Sequence, residues 1–355
     1  MGCYNLTIIS LCNKSTEGHG MSFVYIPKGY HSALNLYETQ SAIGTVKREF
    51  QERLANALNL KRVTAPLFVS PQSGLNDDLN GYERPVEFGI AQTGKTAQIV
   101  HSLAKWKRMA LGKYGFPAGE GLYTDMNAIR RDEDMDNLHS IYVDQWDWER
   151  VITREERNLD FLKKIVCDIV NAICDTEDVL KKKFPCLSGK LKREVSFITT
   201  QELEDMYPDK TPKERENAYL YEHKTAFIMQ IGDELKSGKK HDGRAPDYDD
   251  WKLNGDLLFW DDVLNSAIEI SSMGIRVDKE SLLYQLKKAD CEKRKELDFH
   301  KMLIEDKLPL TIGGGIGQSR LCMLLTKKAH VGEVQVSIWD DETLKICKEN
   351  GITIL

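Results

Sequence analysis

The sequence predicts an α+β fold in which helices flank an antiparallel β-sheet. Hydrophobic residues make up 41% of the 355 residues and charged residues 29%, which provides enough apolar surface for a large core. Helical and strand patterns do not alternate regularly along the chain, and this argues against a doubly wound parallel sheet. We expect one domain over residues 34–355. Residues 1–33 carry no sustained periodicity, and we expect them to form a flexible extension.

Charge and cysteine usage exclude several classes of protein. There are 49 Lys and Arg residues against 55 Asp and Glu, so the net charge is −6, which disfavours a dedicated nucleic-acid binder. No apolar run is long enough to cross a membrane, and no basic start precedes the short apolar stretch Leu6–Cys12. The eight cysteines form no C-x-x-C pair. These features predict a cytoplasmic protein with no nucleic-acid or membrane partner.

The first regular element is an amphipathic helix over Glu38–Leu60. Its apolar residues recur at spacings of three and four, as one face of a helix requires; they are Ile43, Val46, Phe50, Leu54 and Leu58. A β-branched segment containing Pro66 follows, and we expect it to form a strand.

Five later segments also show regular patterns. We expect a helix over 150–184, a helix from 212 behind a Thr211–Glu214 capping box, buried strands over 226–231 and 257–260, and a charged helix from 278 that ends before 309.

Gly89–Thr96 matches the phosphate-loop pattern G-x-x-x-x-G-K-T letter for letter. That pattern binds phosphate only when a buried strand precedes it and a helix follows directly. Here strand-like alternation runs into the motif from Val86 to Ala91, and residues 97–100 are strand-like again. We therefore predict a β-hairpin that turns at Thr93–Lys95, and not a nucleotide site.

One segment combines a polar and an aromatic face. Gln145, Asp147 and Glu149 alternate with Trp146 and Trp148. In a strand this period of two places the three polar residues on one face and the indoles on the other. A polar face backed by buried aromatic rings can bind a polar ligand, although any single such segment is also typical of a half-exposed strand.

Two other segments contain cationic groups suited to phosphate. The stretch from Arg130 to Glu133 would by itself be a solvated charged loop. Gly313–Arg320 has four glycines in five residues and then leads into an apolar helix with Arg320 near its start. Glycine allows the backbone to approach a ligand closely, and a helix N-terminus favours anions. The segment does not fit the dinucleotide pattern, because Gln318 occupies the place of the third glycine.

A third region contributes acids and another arginine. Asp256 and Glu269 could supply hard oxygen ligands to magnesium. Arg276 offers a planar guanidinium suited to a carboxylate. Each acid alone would be interpreted as a surface charge.

Together these segments resemble the three signature motifs of class II aminoacyl-tRNA synthetases. Glu38–Pro66 is similar to the first motif, which builds the dimer interface in that family. Arg130-x-x-Glu133 with the strand to Glu149 is similar to the second, and Gly313–Arg320 to the third. The resemblance implies the catalytic core fold of those enzymes and a homodimer.

Longer strings narrow the match, over roughly residues 34–355, to the ammonia-dependent asparagine synthetases, or aspartate–ammonia ligases. The strings are residues 101–108, 143–149, 244–251 and 271–276. The resemblance implies a ligase that makes asparagine from aspartate, ammonia and ATP. In that reaction a β-aspartyl-adenylate forms first, and AMP and pyrophosphate are released.

The resemblance also assigns residues to the substrates. For the nucleotide it implies an α-phosphate clamp at Arg130, magnesium ligands at Asp256 and Glu269, and further ATP contacts at His101, Glu133, Val143, Gly315 and Arg320. For aspartate it implies Ser102, Lys107, Gln145, Asp147, Asp249, Ser272 and Arg276, and Gln145 is also expected to be catalytic. Asp77 matches a family acid, and our hypothesis is that it attracts ammonium and removes a proton from it.

Two other functions stay open from sequence alone. An aspartyl- or asparaginyl-tRNA synthetase needs an anticodon-binding module, and only about 33 residues precede the predicted core. A non-catalytic synthetase-like module usually loses the motif arginines or acids, which this chain keeps.

Overall fold

The structure, a computed structural model, describes residues 24–79 and 83–355. Most of the predicted flexible extension, residues 1–23, lies outside the described residues. Residues 24–33 lie against the rest of the chain. The Tyr25 amide donates to Asn137 Oδ1 at 2.8 Å, and the Tyr30 hydroxyl donates to the Glu333 carboxylate at 3.1 Å. The domain boundary at residue 33 stays a prediction.

Helices and strands follow one another in an irregular order, as predicted. The helices are α1 (Leu36–Leu58), α2 (Ala104–Tyr114), α3 (Leu159–Lys183), α4 (Thr200–Met206), α5 (Pro212–His223), α6 (Lys279–Lys288), α7 (Asp298–Ile304), α8 (Gln318–Thr326) and α9 (Asp341–Glu349). The strands are β1 (Leu60–Arg62), β2 (Phe68–Val69), β3 (Glu87–Ile90), β4 (Lys95–Ile99), β5 (Gly121–Ile129), β6 (Tyr142–Val151), β7 (Ser196–Thr199), β8 (Thr225–Met229), β9 (Asp249–Asp261), β10 (Ser266–Arg276) and β11 (Thr311–Gly317).

A single eight-stranded sheet forms the centre of the molecule, in the order β1-β5-β6-β11-β10-β9-β8-β7. Its six inner strands pair antiparallel, and only the edge strands β1 and β7 pair parallel with their neighbours. The predicted α+β class is therefore confirmed. Strands far apart in the chain become neighbours, because β6 pairs with β11 and β11 with β10.

The two longest helices cover one face of this sheet. The predicted apolar stripe of α1 is buried at Val46, Phe50, Leu54 and Leu58, and the helix packs against α3 and α8. The Phe50 ring lies 4.8 Å from the ring of Trp146 on β6. This packing places the apolar side of β6 in the core and leaves its polar side for the opposite face.

Three predicted boundaries are wrong. The helix expected from residue 150 begins at Leu159, because Arg150 and Val151 still pair with β11 and Asn158 caps the helix. The helix expected from 278 divides into α6 and α7, which are separated by a short 3₁₀ turn. Pro66 lies between β1 and β2 and not within a strand, consistent with its missing N–H donor.

The phosphate-loop look-alike is a hairpin, as predicted. β3 and β4 pair antiparallel with Ile90 opposite Lys95, and Gly94 in the turn has a φ of +65°. A strand follows the glycine where a phosphate loop needs a helix. The motif therefore forms no helix N-terminus. No helix within the described residues is both long and apolar enough to span a membrane.

Candidate active site

A cleft of about 430 Å³ lies over the polar side of the central sheet. It collects residues from the second and third signature segments, from strand β10 and from the loop that holds Asp77. All but two of the predicted site residues line it: Asp77, Ser102, Lys107, Arg130, Glu133, Val143, Gln145, Asp147, Asp249, Glu269, Ser272, Arg276, Gly315 and Arg320.

Strand β6 provides the centre of the cleft. Gln145 and Asp147 line the cleft, whereas Trp146 and Trp148 are fully buried in the core on the other face. The predicted alternation is therefore confirmed. Glu149 shares the polar face but does not line the cleft, because it is fully buried beneath the guanidinium of Arg276.

A buried ion network fixes Arg276. Its Nε donates to Glu149 Oε1 at 3.0 Å and its Nη2 to Glu149 Oε2 at 2.7 Å, and its Nη1 donates to Asp249. Thr311 Oγ1 adds a 2.7 Å bond to Glu149. Burial raises the pKa of Glu149, but the charge and hydrogen bonds of Arg276 outweigh burial and hold that pKa below its usual 4.5. The guanidinium therefore points into the cleft in one fixed orientation.

Lys107 extends the network at the base of the cleft. Its Nζ donates to Asp147 and, at 3.0 Å, to the carbonyl of Gly314, and it lies 3.9 Å from Glu149. Burial lowers the pKa of Lys107, while both carboxylates favour its charged form. Asp147 Oδ2 is buried and has no hydrogen-bond partner within residues 24–79 and 83–355. This oxygen is available to an ammonium group in the cleft.

The glycines of β11 are required by these side chains. A Cβ on Gly315 would lie 2.2 Å from Gln145 Oε1, and a Cβ on Gly313 would lie 2.0 Å from Glu149 Oε2. Real Cβ atoms essentially never come that close, so any larger residue would displace the polar side chains of β6. The glycine run forms strand β11, and it leads directly into α8, as the sequence predicted for the helix.

Two arginines at the other end of the cleft form only long salt bridges. Arg130 Nη1 lies 3.7 Å from Glu133 Oε2, and Arg320 Nη1 lies 3.6 Å from Glu269 Oε2 and donates to the Glu269 carbonyl at 3.1 Å. Both arginines line the same cleft, each with about a quarter of its side chain exposed. Two partly free guanidinium groups in one cleft can bind an anionic ligand between them.

Asp256 does not line the main cleft. It lies with Glu269 in an adjoining cleft of about 260 Å³, and Arg244 Nη2 donates to it at 2.6 Å. Burial and the nearby charge of Glu269 raise the pKa of Asp256 to about 7, although Arg244 opposes the shift. Two carboxylates that repel each other fit a divalent cation. The described residues contain no cluster of three or more such ligands, so a bound cation would need oxygens from another source.

His101 is the second predicted residue outside the cleft. It is fully buried, its amide donates to Asn76 Oδ1 at 2.8 Å, and its ring Nδ1 lies 2.9 Å from the carbonyl of Asp77. These contacts support the backbone that carries Asp77. Burial raises the pKa of the Asp77 carboxyl, which opens onto the cleft.

Several residues that line the cleft were missed by sequence reasoning, among them Arg244, Tyr248 and Gln335. Arg244 Nη1 donates to Ser272 Oγ at 2.5 Å and so joins the two clefts. Arg244 and Tyr248 fall within the string 244–251, which could have identified them. Gln335 lies in no motif, and only the fold brings it to Ser319, whose Oγ accepts from its Nε2 at 3.0 Å.

Comparisons with known proteins agree on one family. The family model for aspartate–ammonia ligases matches residues 37–351. A relative from Clostridium tetani with the name aspartate–ammonia ligase is 64% identical over 331 residues, covering 93% of this chain and 97% of that protein. A relative of the same name from Lactobacillus johnsonii is 60% identical over 332 residues, covering 93% of this chain and 99% of that protein.

Solved structures show the same fold at low sequence identity. Asparaginyl-tRNA synthetase from Pyrococcus horikoshii, complexed with asparaginyl-adenylate, superposes with a TM-score of 0.60 at 16% identity, covering 84% of this chain and 68% of that one. Aspartyl-tRNA synthetase from Entamoeba histolytica gives 0.54 at 17% identity, covering 86% of this chain and 58% of that one. The sheet and its helices are therefore those of a class II synthetase catalytic core.

Proposed function

The chain belongs to the family of aspartate–ammonia ligases, and on that premise we propose that it makes asparagine through a β-aspartyl-adenylate. Aspartate, ammonia and ATP are the substrates, and AMP and pyrophosphate leave with the product. An oxygen of the β-carboxylate attacks the α-phosphorus and pyrophosphate departs. Ammonia then attacks the β-carbonyl carbon, and AMP departs with the bridging oxygen.

The observation that carries this proposal is that Arg130 and Arg320 line one cleft together with Arg276 and Lys107. The first step brings two anions together, so cations must offset the charge that accumulates at the α-phosphate. Arg130 is suited to that role, because its salt bridge to Glu133 is long, at 3.7 Å, and partly exposed. Arg320 would hold the opposite side of the nucleotide.

Aspartate would bind over the buried network. Two of the five N–H donors of Arg276 remain after its bonds to Glu149 and Asp249, and they suit a carboxylate. Asp147 and Gln145 would accept from the α-ammonium group. Ser102, Lys107 and Ser272 complete the pocket.

The adenosine part would lie between Arg320 and the motif-two strand. Glu133 would accept from the adenine amino group, Val143 would pack on the ring, and Gly315 would allow the backbone to come close. His101, which lies behind Asp77, would act on the nucleotide only indirectly.

Asp256 and Glu269 fit a magnesium ion, because they are two carboxylates that share one cleft and disfavour each other's charge. When bound, the ion would neutralise phosphate charge, and phosphate oxygens would complete its ligands. Arg244 already forms a salt bridge with Asp256, so Asp256 would have to contact both Arg244 and the ion.

In the second step, Asp77 would accept a proton from ammonium, since ammonium has no lone pair with which to attack. The carboxyl is 2% exposed, and burial favours its neutral form. A raised pKa makes the ionised carboxylate a stronger base, which favours its accepting a proton.

We also propose a cytoplasmic homodimer that uses no nucleic acid. The start of α1 exposes the adjacent apolar side chains Leu36 and Tyr37, at 51% and 85%, and neighbouring exposed apolar groups are a feature of surfaces that bind another protein. Mass measured in solution tests the dimer. The six described cysteines are free thiols, consistent with a reducing compartment.

Isotope transfer tests the route. The chain is incubated with ATP, magnesium, ammonium and aspartate labelled with ¹⁸O in its β-carboxylate, and we expect asparagine and AMP in equal amounts with one ¹⁸O in each AMP. Formation of ADP, or of AMP without label, would contradict the adenylate.

Asp77→Asn tests the role of the acid. We expect ammonium-dependent turnover to fall at least a hundredfold, while aspartate-dependent exchange of pyrophosphate into ATP persists. Unchanged turnover with ammonium would show that Asp77 is not the base.

A further inference from the structure

Behind Asp77 lies a buried carboxylate that the proposed chemistry does not use. Asp247 is fully buried and does not line the cleft. Its Oδ2 accepts from three cationic or polar groups: Lys105 Nζ at 3.0 Å, Arg294 Nη1 at 2.9 Å and His300 Nε2 at 2.9 Å. All three contacts are made by this one oxygen, while Oδ1 is buried and has no hydrogen-bond partner among the described residues. The three partners are therefore held together at a single point.

These partners come from three separate elements. Lys105 lies on α2, Arg294 on the 3₁₀ turn after α6, and His300 on α7. Arg294 also contacts Asp78, with Nη2 2.8 Å from its Oδ2. Asp247 therefore connects α2 and α7 to the short segment that carries Asp77.

Lys105, one of the partners of Asp247, also interacts electrostatically with Asp77. Burial raises the pKa of Asp77, and the charge of Lys105 is the largest influence that opposes it. Lys105 is itself 3% exposed and has Asp247 as its salt-bridge partner. Without Asp247, the buried Lys105 ammonium would lose the carboxylate with which it forms its salt bridge.

We propose that Asp247 is a positioning residue for the ammonia step, which holds Lys105 and Arg294 so that Asp77 stays at the cleft and ready to accept a proton. This inference rests on the proposed function and deepens it. Ammonium gives one proton to Asp77, the freed nitrogen lone pair attacks the β-carbonyl carbon, the bond to the AMP oxygen breaks, and a second proton leaves the new amide nitrogen for solvent.

Asp247→Asn in the full chain separates this role from general support of the fold. We expect kcat/KM for ammonium to fall at least tenfold, while aspartate-dependent pyrophosphate exchange stays within about twofold of the unmodified chain. Hydroxylamine is already neutral near pH 7 and needs no base before it attacks. We therefore expect hydroxamate formation to stay within about threefold.

Asp250→Asn is the matched control. Asp250 lies three residues along the chain, is also buried, and accepts from Arg157 at 2.5 Å without lining the cleft. We expect this variant to leave the ratio of ammonium to hydroxylamine turnover unchanged.

Arg294→Gln provides a test if Asp247→Asn does not fold, because Arg294 is partly exposed. We expect a smaller loss, about three- to tenfold and again confined to ammonium, with partial recovery in Arg294→Lys. An equal loss with ammonium and hydroxylamine, or no loss with ammonium, overturns this inference but leaves the proposed function standing. An unmodified chain that forms no asparagine overturns the proposed function and the inference with it.

Discussion

The two ends of the cleft are built differently. At one end, which we name the aspartate end after its proposed ligand, Arg276, Glu149 and Lys107 are almost fully buried, and the contacts of Arg276 to Glu149 measure 2.7–3.1 Å. At the other end, which we name the nucleotide end after its proposed ligand, Arg130 and Arg320 are partly exposed and form salt bridges of 3.7 Å and 3.6 Å with Glu133 and Glu269. One end is fixed before any ligand arrives, whereas the other holds cations in weak pairs.

This difference has a physical reason. Buried charges are stable only when paired with good geometry, so the aspartate end must be complete in the folded chain. Partly exposed pairs contribute little stability and can be exchanged for a stronger anionic partner. We therefore expect changes at the aspartate end to affect stability and binding together, and changes at the nucleotide end to affect activity alone.

The largest effect is expected for Glu149→Gln. It leaves the buried guanidinium of Arg276 with only Asp249, and loss of one partner of a buried ion pair costs about 3–5 kcal/mol. We expect urea unfolding to show a loss of this size, and calorimetry to show no aspartate binding. Thr311→Val is the control, because it removes one hydrogen bond to Glu149 and costs about 1 kcal/mol.

The same pair predicts a pH dependence. The folded pKa of Glu149 lies below its usual 4.5, so its contribution to the free energy of unfolding is fully present above that pH. The contribution is lost as pH falls through the lowered folded-state value. Stability curves of the unmodified chain and Glu149→Gln should converge in acid, and a constant difference down to low pH would contradict the assignment.

Arg130→Gln is expected to reduce kcat about 10²- to 10³-fold, the typical cost of removing one group that stabilises developing charge. Its free energy of unfolding should change by less than about 0.5 kcal/mol, because the pair with Glu133 is long and partly exposed. Arg131→Gln is the neighbouring control, since Arg131 is exposed and does not line the cleft. A large stability loss in Arg130→Gln would remove the contrast between the two ends.

Gly315→Ala should have a smaller effect at the boundary between the ends. The added Cβ meets Gln145 Oε1 at 2.2 Å, and overpacking of this kind costs about 1–3 kcal/mol. We expect a higher KM for aspartate, measured by steady-state turnover, because Gln145 must move. Gly89→Ala has open space around its Cβ and should change nothing, which also tests the phosphate-loop look-alike.

Much of this arrangement could be predicted from sequence, where the information is local. The alternation from Gln145 to Glu149 identified a polar face backed by indoles, and the spacing from Val46 to Leu58 identified the helix that packs behind it. The hairpin at Gly89–Thr96 could be distinguished from a phosphate loop by its flanking strand pattern. Periodicities of two and 3.6 residues follow directly from backbone geometry.

Other features had no local signal. Helix boundaries near residues 150 and 290 were wrong, because strand pairing with β11 and the break after α6 depend on distant segments. His101 and Asp256 were assigned to the nucleotide by motif, yet the fold places both outside the main cleft.

The sequence by itself determined the class of fold, the polar strand, the glycine run and the arginines to which we assign the chemistry. Tertiary structure alone decided which charged side chains pair. Arg276 forms its ion pair with Glu149, 127 residues away in the chain, and Arg294 donates to Asp247, 47 residues away. The reason is that helices and strands repeat every few residues, so a short stretch of sequence is enough to predict them. A buried ion pair instead depends on the burial and distance that only the assembled sheet provides.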